Sequence, residues 1–173
     1  LRAIRPAAVI GMGGFVTGPG GVATWLLRIP LLIHEQNSIM GLTNRWLARL
    51  AKVVMEAFPG TFPANYRAVH TGNPLRANIM ALPSQREIHQ PVHILIVGGS
   101  LGAKVLNETV PPALQQVQGT IEVWHQTGQV HHETMRHAYA EAPFKVRVDA
   151  FIEDMATAYA WADLVICRAG ALT

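Results

Sequence analysis

Residues 92–103 read VHILIVGGSLGA, and this stretch decides the class of fold. The run from Val92 to Val97 is apolar apart from one histidine and lacks polar alternation, which is typical of a strand buried on both faces of a parallel sheet. Gly98 and Gly99 follow at once, and the segment from Ala103 to Gln118 has the pattern of a helix. Strand, glycine turn and helix in this order predict one unit of a parallel α/β sheet.

The same alternation of strand and helix continues on both sides of this stretch. Further strands are predicted at 7–10, 30–33, 52–55, 120–124, 145–148 and 163–166, and helices at 20–27, 42–50, 130–140 and 154–161. Parallel sheets of the doubly wound type are therefore expected.

A change in composition between Arg76 and Pro91 interrupts the pattern. We therefore predict a first domain over 1–77, a linker over 78–90 and a second domain over 91–173. Two Rossmann-like halves with parallel sheets, facing each other across a cleft, are the simplest architecture.

Composition, charge and the length of the apolar stretches limit the classes of protein to which the chain can belong. Half of the 173 residues are apolar, and the net charge of +3 suits weak attraction to phosphates or to an acidic membrane without indicating a nucleic-acid partner. The single cysteine, Cys167, lies in an apolar run and is interpreted as a buried hydrophobe rather than a reactive thiol. The apolar stretches are strand-length, so no spanning helix is expected. The absence of an initiator methionine and the end at Thr173 suggest a fragment.

Two glycine turns follow predicted strands. Residues 11–21 read GMGGFVTGPGG, where glycines permit positive φ and close approach of a diphosphate, although a merely tight turn explains some of them. The turn at 98–103 lacks the spacing of the dinucleotide fingerprint, so NAD binding is disfavoured. Ser100 can cap the following helix or bind a phosphate, and both roles remain open.

Polar side chains follow other strands. Residues 34–38 read HEQNS at a strand's carboxyl end, where ligands of open α/β sheets bind, although Asn37 or Ser38 could instead cap a helix. His34 and Glu35 are not predicted as a catalytic pair, because adjacent strand residues point to opposite faces. Arg76 could hold a phosphate or be a solvated arginine.

Histidines elsewhere do not predict a metal site. His131 and His132 point to different sides of a helix, and no cysteine or carboxylate cluster accompanies them or His125 and His137.

Seven motifs occur in an order and spacing that resemble the MurG family of peptidoglycan glycosyltransferases. They are GMGGFVTGPGG at 11–21, HEQNS at 34–38, AFP at 57–59, GNPLR at 72–76, VGGSLGA at 97–103, FIEDM at 151–155 and CRAGALT at 167–173. The resemblance implies a GT-B fold and inverting transfer of N-acetylglucosamine from its UDP donor to undecaprenyl-diphosphate-N-acetylmuramoyl-pentapeptide, which converts lipid I to lipid II.

The resemblance also implies roles for particular residues. Contacts with UDP-N-acetylglucosamine are implied for Asn37, Arg76, Ser100, Ile152, Ala171, Leu172 and Thr173, with Ile152 acting through its backbone. The acceptor diphosphate is expected at Gly13, Gly14, Thr17 and Gly18. Trp25 matches a membrane-contacting patch, although packing in the core also explains a tryptophan on an amphipathic helix.

The expected surroundings follow from the same resemblance. We expect a peripheral protein at the cytoplasmic face of the inner membrane, with other cell-wall synthesis proteins as partners, no cofactor and no obligatory metal. The catalytic base is not identified, and the 173 residues alone are expected to be inactive because the family's first glycine loop and part of its donor site are missing. Another GT-B nucleotide-sugar enzyme and a non-catalytic nucleotide-binding module are the alternatives.

Overall fold

The computed structural model describes residues 1–83, 87–99 and 103–168 of the chain. These residues form two compact units, of which unit 1 covers Leu1–Pro74 and unit 2 begins at Leu75. Each unit contains one four-stranded sheet whose paired strands all run parallel. The predicted α/β class with parallel sheets is therefore confirmed.

Unit 1 is a simple succession of strands and short helices with the sheet order β1-β2-β3-β4. Its elements are β1 (Val9–Gly11), α1 (Thr17–Leu26), β2 (Leu31–Glu35), α2 (Leu42–Leu47), β3 (Val53–Glu56), a 3₁₀ turn (Ala64–Tyr66) and β4 (Val69–His70). Its core lies where Leu31 and Ile33 of β2 and Val54 of β3 meet Leu47 of α2. Burial of these side chains positions the loops at the carboxyl edge of the sheet.

Unit 2 has the sheet order β7-β6-β5-β8, with β5 near the middle. Its elements are α3 (Ala77–Met80), β5 (Val92–Val97), α4 (Lys104–Leu114), β6 (Ile121–Gln126), a 3₁₀ turn (Gln129–His131), α5 (His132–Ala138), β7 (Lys145–Asp149), α6 (Met155–Trp161) and β8 (Leu164–Cys167). The chain winds from β5 outward to β7 and then returns to the other side of β5. The strand order thus reverses between β5 and β8.

Both faces of the unit 2 sheet are covered, which explains the apolar run in β5. Ile94 and Ile96 pack with Val110 of α4 on one face. Leu95 packs with Trp124 and with Ala158 of α6 on the other. Alternate residues of one strand therefore enter two separate cores.

The observed boundaries of two helices, α1 and α4, differ from the predicted ones. Helix α1 begins at Thr17 rather than at residue 20, so Gly18, Gly20 and Gly21 belong to the helix and not to the turn. Helix α4 ends at Leu114 rather than at residue 118, and it contains Pro111 and Pro112.

Helix α3, of which residues 78–80 fall in the segment predicted as a linker, contacts α6 of unit 2. A helix of four residues is too short for its periodicity to be recognised in the sequence. No helix within the described ranges is long and apolar enough to cross a membrane.

Candidate functional site

The carboxyl edge of the unit 2 sheet has the geometry of a ligand site. Strand order reverses between β5 and β8, and ligands of open α/β sheets bind in the crevice at such a point. Gly98 and Gly99 follow β5 there, and Arg168 follows β8. Gly99 has φ of 85°, and its carbonyl oxygen accepts a hydrogen bond of 2.9 Å from Nε2 of Gln126, at the end of β6. The glycine turn is thus held in place from the neighbouring strand.

A second cleft lies at the carboxyl edge of the unit 1 sheet. It has a volume of about 520 Å³ and is lined by residues 12–15 after β1, residues 35–37 at the end of β2, and residues 41–44 at the start of α2. Asn37, Gly13 and Gly14, three of the predicted site residues, therefore line one cleft. Thr17 and Gly18 lie in the first turn of α1.

The loop after β1 is braced by hydrogen bonds. Gly13 and Gly14 adopt φ of 81° and 80°, which other residues rarely adopt. Oγ1 of Thr17 donates to the carbonyl oxygen of Gly13, and Nε2 of Gln36 donates to that of Met12 at 2.9 Å. The predicted positive φ is confirmed at both glycines, and Thr17 supports the loop through its side chain.

Glu35 organises the opposite wall of this cleft. Its buried carboxylate accepts bonds from the backbone N and Nδ2 of Asn37 at 3.1 and 2.8 Å, and from the backbone N of Gly41 and Nδ2 of Asn44, both at 2.9 Å. Burial by itself raises the pKa of Glu35, but these hydrogen bonds outweigh that effect and the pKa lies below its ordinary value. Glu35 therefore stays ionised as a brace and is unsuited to carry a proton.

Two motifs that are far apart in the sequence are joined in unit 1. Nε2 of buried His34 lies 3.0 Å from the carbonyl oxygen of Gly72, and Nδ2 of Asn73 donates to the carbonyl oxygen of Gln36 at 3.2 Å. A carbonyl can only accept, so His34 carries its proton on Nε2. Its Nδ1 is buried and has no hydrogen-bond partner among the described residues. Two hydrogen bonds thus join the HEQN segment at 34–37 to the GNP segment at 72–74.

Two of the other predicted donor contacts, Arg76 and Ile152, lie in unit 2. Arg76 is exposed at the residue preceding α3. Ile152 buries its side chain against Leu95 and Trp124, in the loop between β7 and α6. In the same motif, Asp154 caps α6 by accepting from the backbone N of Ala156 and Thr157 at 3.1 and 3.2 Å. Ser100, Ala171, Leu172 and Thr173 lie outside the described residues.

Trp25 is not a core residue. It is 51% exposed on α1, beside Leu26 at 67% exposed, and Trp46 of α2 is 61% exposed. The guanidinium carbon of Arg49 lies 5.0 Å from the centre of the Trp46 ring. Packing in the core was the alternative explanation for Trp25, and this exposure excludes it. We call Trp25, Leu26, Trp46 and Arg49 the apolar–basic surface.

A histidine cluster was missed in the sequence. His89, His93 and Asp163 of unit 2 can each direct one ligand atom to a common region, with these atoms within 4.8 Å of one another. No local sequence pattern could reveal this cluster, because Asp163 lies 70 residues beyond His93. The histidines that were considered have other surroundings: Nδ1 of His125 lies 2.9 Å from the Tyr139 hydroxyl oxygen, and Nε2 of His132 lies 3.2 Å from the Val148 carbonyl oxygen.

Comparison with known protein families agrees with the division into two units. Residues 1–56 match the glycosyltransferase family 28 N-terminal domain, and residues 93–173 match the glycosyltransferase family 28 C-terminal domain. The two parallel α/β units and these two domain matches define the GT-B fold class.

Known relatives resemble the chain over its whole length. It is 57% identical to a protein of Aeromonas hydrophila and 51% identical to one of Klebsiella pneumoniae, both named UDP-N-acetylglucosamine–N-acetylmuramyl-(pentapeptide) pyrophosphoryl-undecaprenol N-acetylglucosamine transferase. A crystal structure of Acinetobacter baumannii MurG superposes with a TM-score of 0.79 at 52% identity, over 99% of this chain and 49% of that one. The chain belongs to the MurG family. The match extends over all of this chain but over only 48% and 49% of these two relatives, so the chain spans about half of their length.

Proposed function

We propose that the protein containing this chain transfers N-acetylglucosamine from UDP-N-acetylglucosamine to the lipid-linked N-acetylmuramoyl-pentapeptide acceptor. The observation that carries the proposal is the identity of 51–57% over the whole chain to relatives named for this transfer. The braced glycine loops at the carboxyl edges of both sheets give independent support, since diphosphates bind at such turns.

The two units are assigned different substrates. Unit 1, with the cleft beside Gly13 and Gly14, is proposed to bind the acceptor diphosphate, with Thr17 and Gly18 in the helix turn behind it. Unit 2, with its strand-order reversal between β5 and β8, is proposed to bind the UDP-sugar. The proposed domains are residues 1–77 and 91–173 with 78–90 between them, whereas compact unit 2 already begins at Leu75. One proposed donor contact, Asn37, belongs to unit 1 and lines the cleft beside Gly13 and Gly14. The other proposed donor contacts are Arg76, Ser100, Ile152, Ala171, Leu172 and Thr173.

The proposed reaction is a displacement with inversion. The 4-hydroxyl oxygen of the muramoyl sugar attacks C1 of N-acetylglucosamine, the bond from C1 to the β-phosphate oxygen breaks, and UDP leaves with the electron pair. A base takes the hydroxyl proton, and positive charge stabilises the leaving diphosphate. Backbone N–H groups of the glycine turns and the Arg76 guanidinium supply that charge.

Glu35 is not the proposed base. Its carboxylate is already occupied by hydrogen bonds from Asn37, Gly41 and Asn44 that favour the ionised form. Its role is to hold Asn37 at the edge of the cleft, where the side chain can contact a substrate. Asn37 is then a binding residue whose position depends on Glu35.

The apolar–basic surface suggests where the protein acts. Exposed tryptophan and leucine side chains insert into the interfacial region of a bilayer, and arginine attracts anionic lipids. We place this surface of unit 1 on the cytoplasmic face of the inner membrane, where the lipid-linked acceptor is found.

Donor choice tests the proposal. The full-length protein is incubated with a lipid I analogue and, in separate reactions, with UDP-N-acetylglucosamine, UDP-N-acetylgalactosamine or UDP-glucose. We expect a lipid-linked disaccharide from UDP-N-acetylglucosamine and at most a few per cent of that rate from the others. Efficient use of another donor, or transfer to an acceptor without the muramoyl sugar, would instead indicate a different GT-B enzyme.

A further inference from the structure

A cluster of potential metal ligands lies at the amino edge of the unit 2 sheet, away from the glycine turns. His93 is the second residue of β5, Asp163 directly precedes β8, and Glu122 is the second residue of β6. His89 joins them from the segment before β5. The proposed reaction uses none of these residues, so the cluster needs a separate explanation.

Asp163 is the centre of this cluster. Its carboxylate, only 5% exposed, lies 2.7 Å from Nδ1 of His89 and accepts from the backbone N of His93 at 2.8 Å. One ligand atom each from His89, His93 and Asp163 lie within 4.8 Å of one another. Three chain segments thus direct an imidazole or a carboxylate towards the same small volume.

His93 has the environment of a histidine prepared for metal binding. Its Nδ1 lies 3.0 Å from the carbonyl oxygen of Trp161, which can only accept, so Nδ1 carries the proton and Nε2 presents a lone pair. Metal-bound histidines commonly donate their second ring N–H to a backbone carbonyl in this way. The ring stacks on Trp161 with 4.4 Å between centroids, which restricts its rotation.

Glu122 can become a fourth ligand by a movement of its side chain, because its carboxylate lies outside the group of ligand atoms that are within 4.8 Å of one another. Its Oε2 lies 3.9 Å from Nε2 of His93, and its side chain is 30% exposed. Two imidazoles and two carboxylates suit divalent ions of the zinc type, whereas Mg²⁺ prefers oxygen ligands alone. The two carboxylates would neutralise the charge of the ion.

We propose that His89, His93 and Asp163, with Glu122 as a fourth ligand, form a binding site for a zinc-type divalent transition-metal ion. Tetrahedral zinc with bonds of about 2.0–2.2 Å separates its ligand atoms by about 3.4 Å. Ligand atoms that lie up to 4.8 Å apart must therefore approach by up to about 1.4 Å on binding, whereas Nδ1 of His89 and Oδ1 of Asp163, now 2.7 Å apart, must separate. His89 makes most of this movement, because its side chain is 43% exposed and its ring must turn from its stack on His93. The bound ion links the segment before β5 to the amino ends of three strands.

The test is titration of untagged, metal-free full-length protein with Zn²⁺ and, separately, with Mg²⁺ by calorimetry. We expect one high-affinity Zn²⁺ equivalent, a higher Tm in its presence, and no comparable binding of Mg²⁺. His89→Gln should weaken that equivalent at least ~10-fold while leaving the far-UV circular dichroism of the metal-free protein unchanged. The matched control is His137→Gln, which changes an exposed histidine of α5 outside the cluster.

A second variant protects the test against misfolding. Glu122→Gln keeps the shape of a partly exposed side chain and should weaken Zn²⁺ binding without altering the Tm of the metal-free protein. Absence of a stoichiometric Zn²⁺ site, equal binding by His89→Gln and unsubstituted protein, or Mg²⁺ binding as tight as that of Zn²⁺ would each overturn the proposal.

Discussion

Nδ2 of Asn44 lies 2.9 Å from Oε2 of Glu35 and 3.1 Å from the carbonyl oxygen of His34, so one amide of α2 holds two successive residues at the end of β2. Asn44 is almost completely buried. The same carboxylate holds Asn37 at the edge of the cleft. The position of Asn37, a proposed donor contact, therefore depends on Asn44, which belongs to none of the sequence motifs.

Removing this amide should affect stability and donor binding together. Asn44→Ala leaves the Glu35 carboxylate and the His34 carbonyl without their shared donor, and we expect a loss of about 2–4 kcal/mol in the free energy of unfolding. The KM for UDP-N-acetylglucosamine should also rise. Urea unfolding and donor kinetics of full-length protein measure the two effects. Asn65→Ala, in the exposed 3₁₀ turn, is the control and should change neither; an Asn44→Ala variant as stable as the control would contradict the bracing role.

Two adjacent glycines of α1 should respond in opposite directions. A Cβ on Gly21 would lie 2.7 Å from Cδ1 of Leu47, whereas a Cβ on Gly20 meets no atom within 4 Å. Gly21→Ala should therefore lower the free energy of unfolding by about 1–3 kcal/mol, because the core between α1 and α2 cannot expand without strain. Gly20→Ala should raise it by up to about 1 kcal/mol through helix propensity. Urea unfolding of both variants distinguishes them, and equal effects would show that α1 does not pack closely on α2.

Sequence patterns were sufficient for the order of the longer strands and helices, but not for the four-residue helix α3. Each predicted strand overlaps an observed strand, because buried parallel strands carry continuous apolar runs such as 92–97. The start of α1 was misplaced because Gly18, Pro19, Gly20 and Gly21 resemble a turn. The structure explains these residues differently: Gly21 is needed for contact with Leu47, and proline is tolerated in the first turn of a helix.

The candidate site was only partly accessible from the sequence. Glycine turns and the HEQN motif identified Gly13, Gly14 and Asn37, which line one cleft. The contact between His34 and Gly72 joins residues 38 positions apart, and no local pattern reports such a pairing. The histidine cluster in unit 2 was missed for the same reason. Trp25 could not be assigned, because an exposed and a buried apolar helix face have the same periodicity.

Buried His125 should make stability depend on pH. Burial lowers the pKa of His125 to about 4 from an ordinary value of 6.5, so between these values the unfolded chain binds a proton that the folded chain does not. The folded state therefore loses stability as the pH falls from 6.5 towards 4, on the order of 2 kcal/mol between pH 7 and pH 5.

Urea unfolding at pH 7 and pH 5 measures this loss. His125→Gln should reduce it strongly, because the variant has no imidazole to protonate, and His137→Gln should leave it unchanged since that side chain is exposed. An unaltered pH dependence in His125→Gln would show that another group is responsible.

The apolar–basic surface should be needed for membrane binding. Trp25→Ser combined with Leu26→Ser removes two exposed apolar side chains, and we expect vesicle binding to weaken at least ~10-fold, since burying each such group contributes about 1–3 kcal/mol. Sedimentation with vesicles that contain anionic lipids measures the partition. The control pair is Met80→Ser with Ile88→Ser, which removes two exposed apolar residues of unit 2. Equal losses for the two pairs would argue against a specific membrane-binding surface in unit 1.

Binding and turnover measured in one sample give the most direct test of the proposed sugar transfer. Full-length protein is mixed with labelled UDP-N-acetylglucosamine, first alone to record binding, and then with a lipid I analogue to record label in the lipid product. We predict saturable donor binding followed by many turnovers per protein molecule, and no lipid-linked label when the acceptor is omitted. Saturable binding without any transfer to the acceptor, in protein shown to be folded, would contradict the proposed activity and favour a non-catalytic nucleotide-binding module.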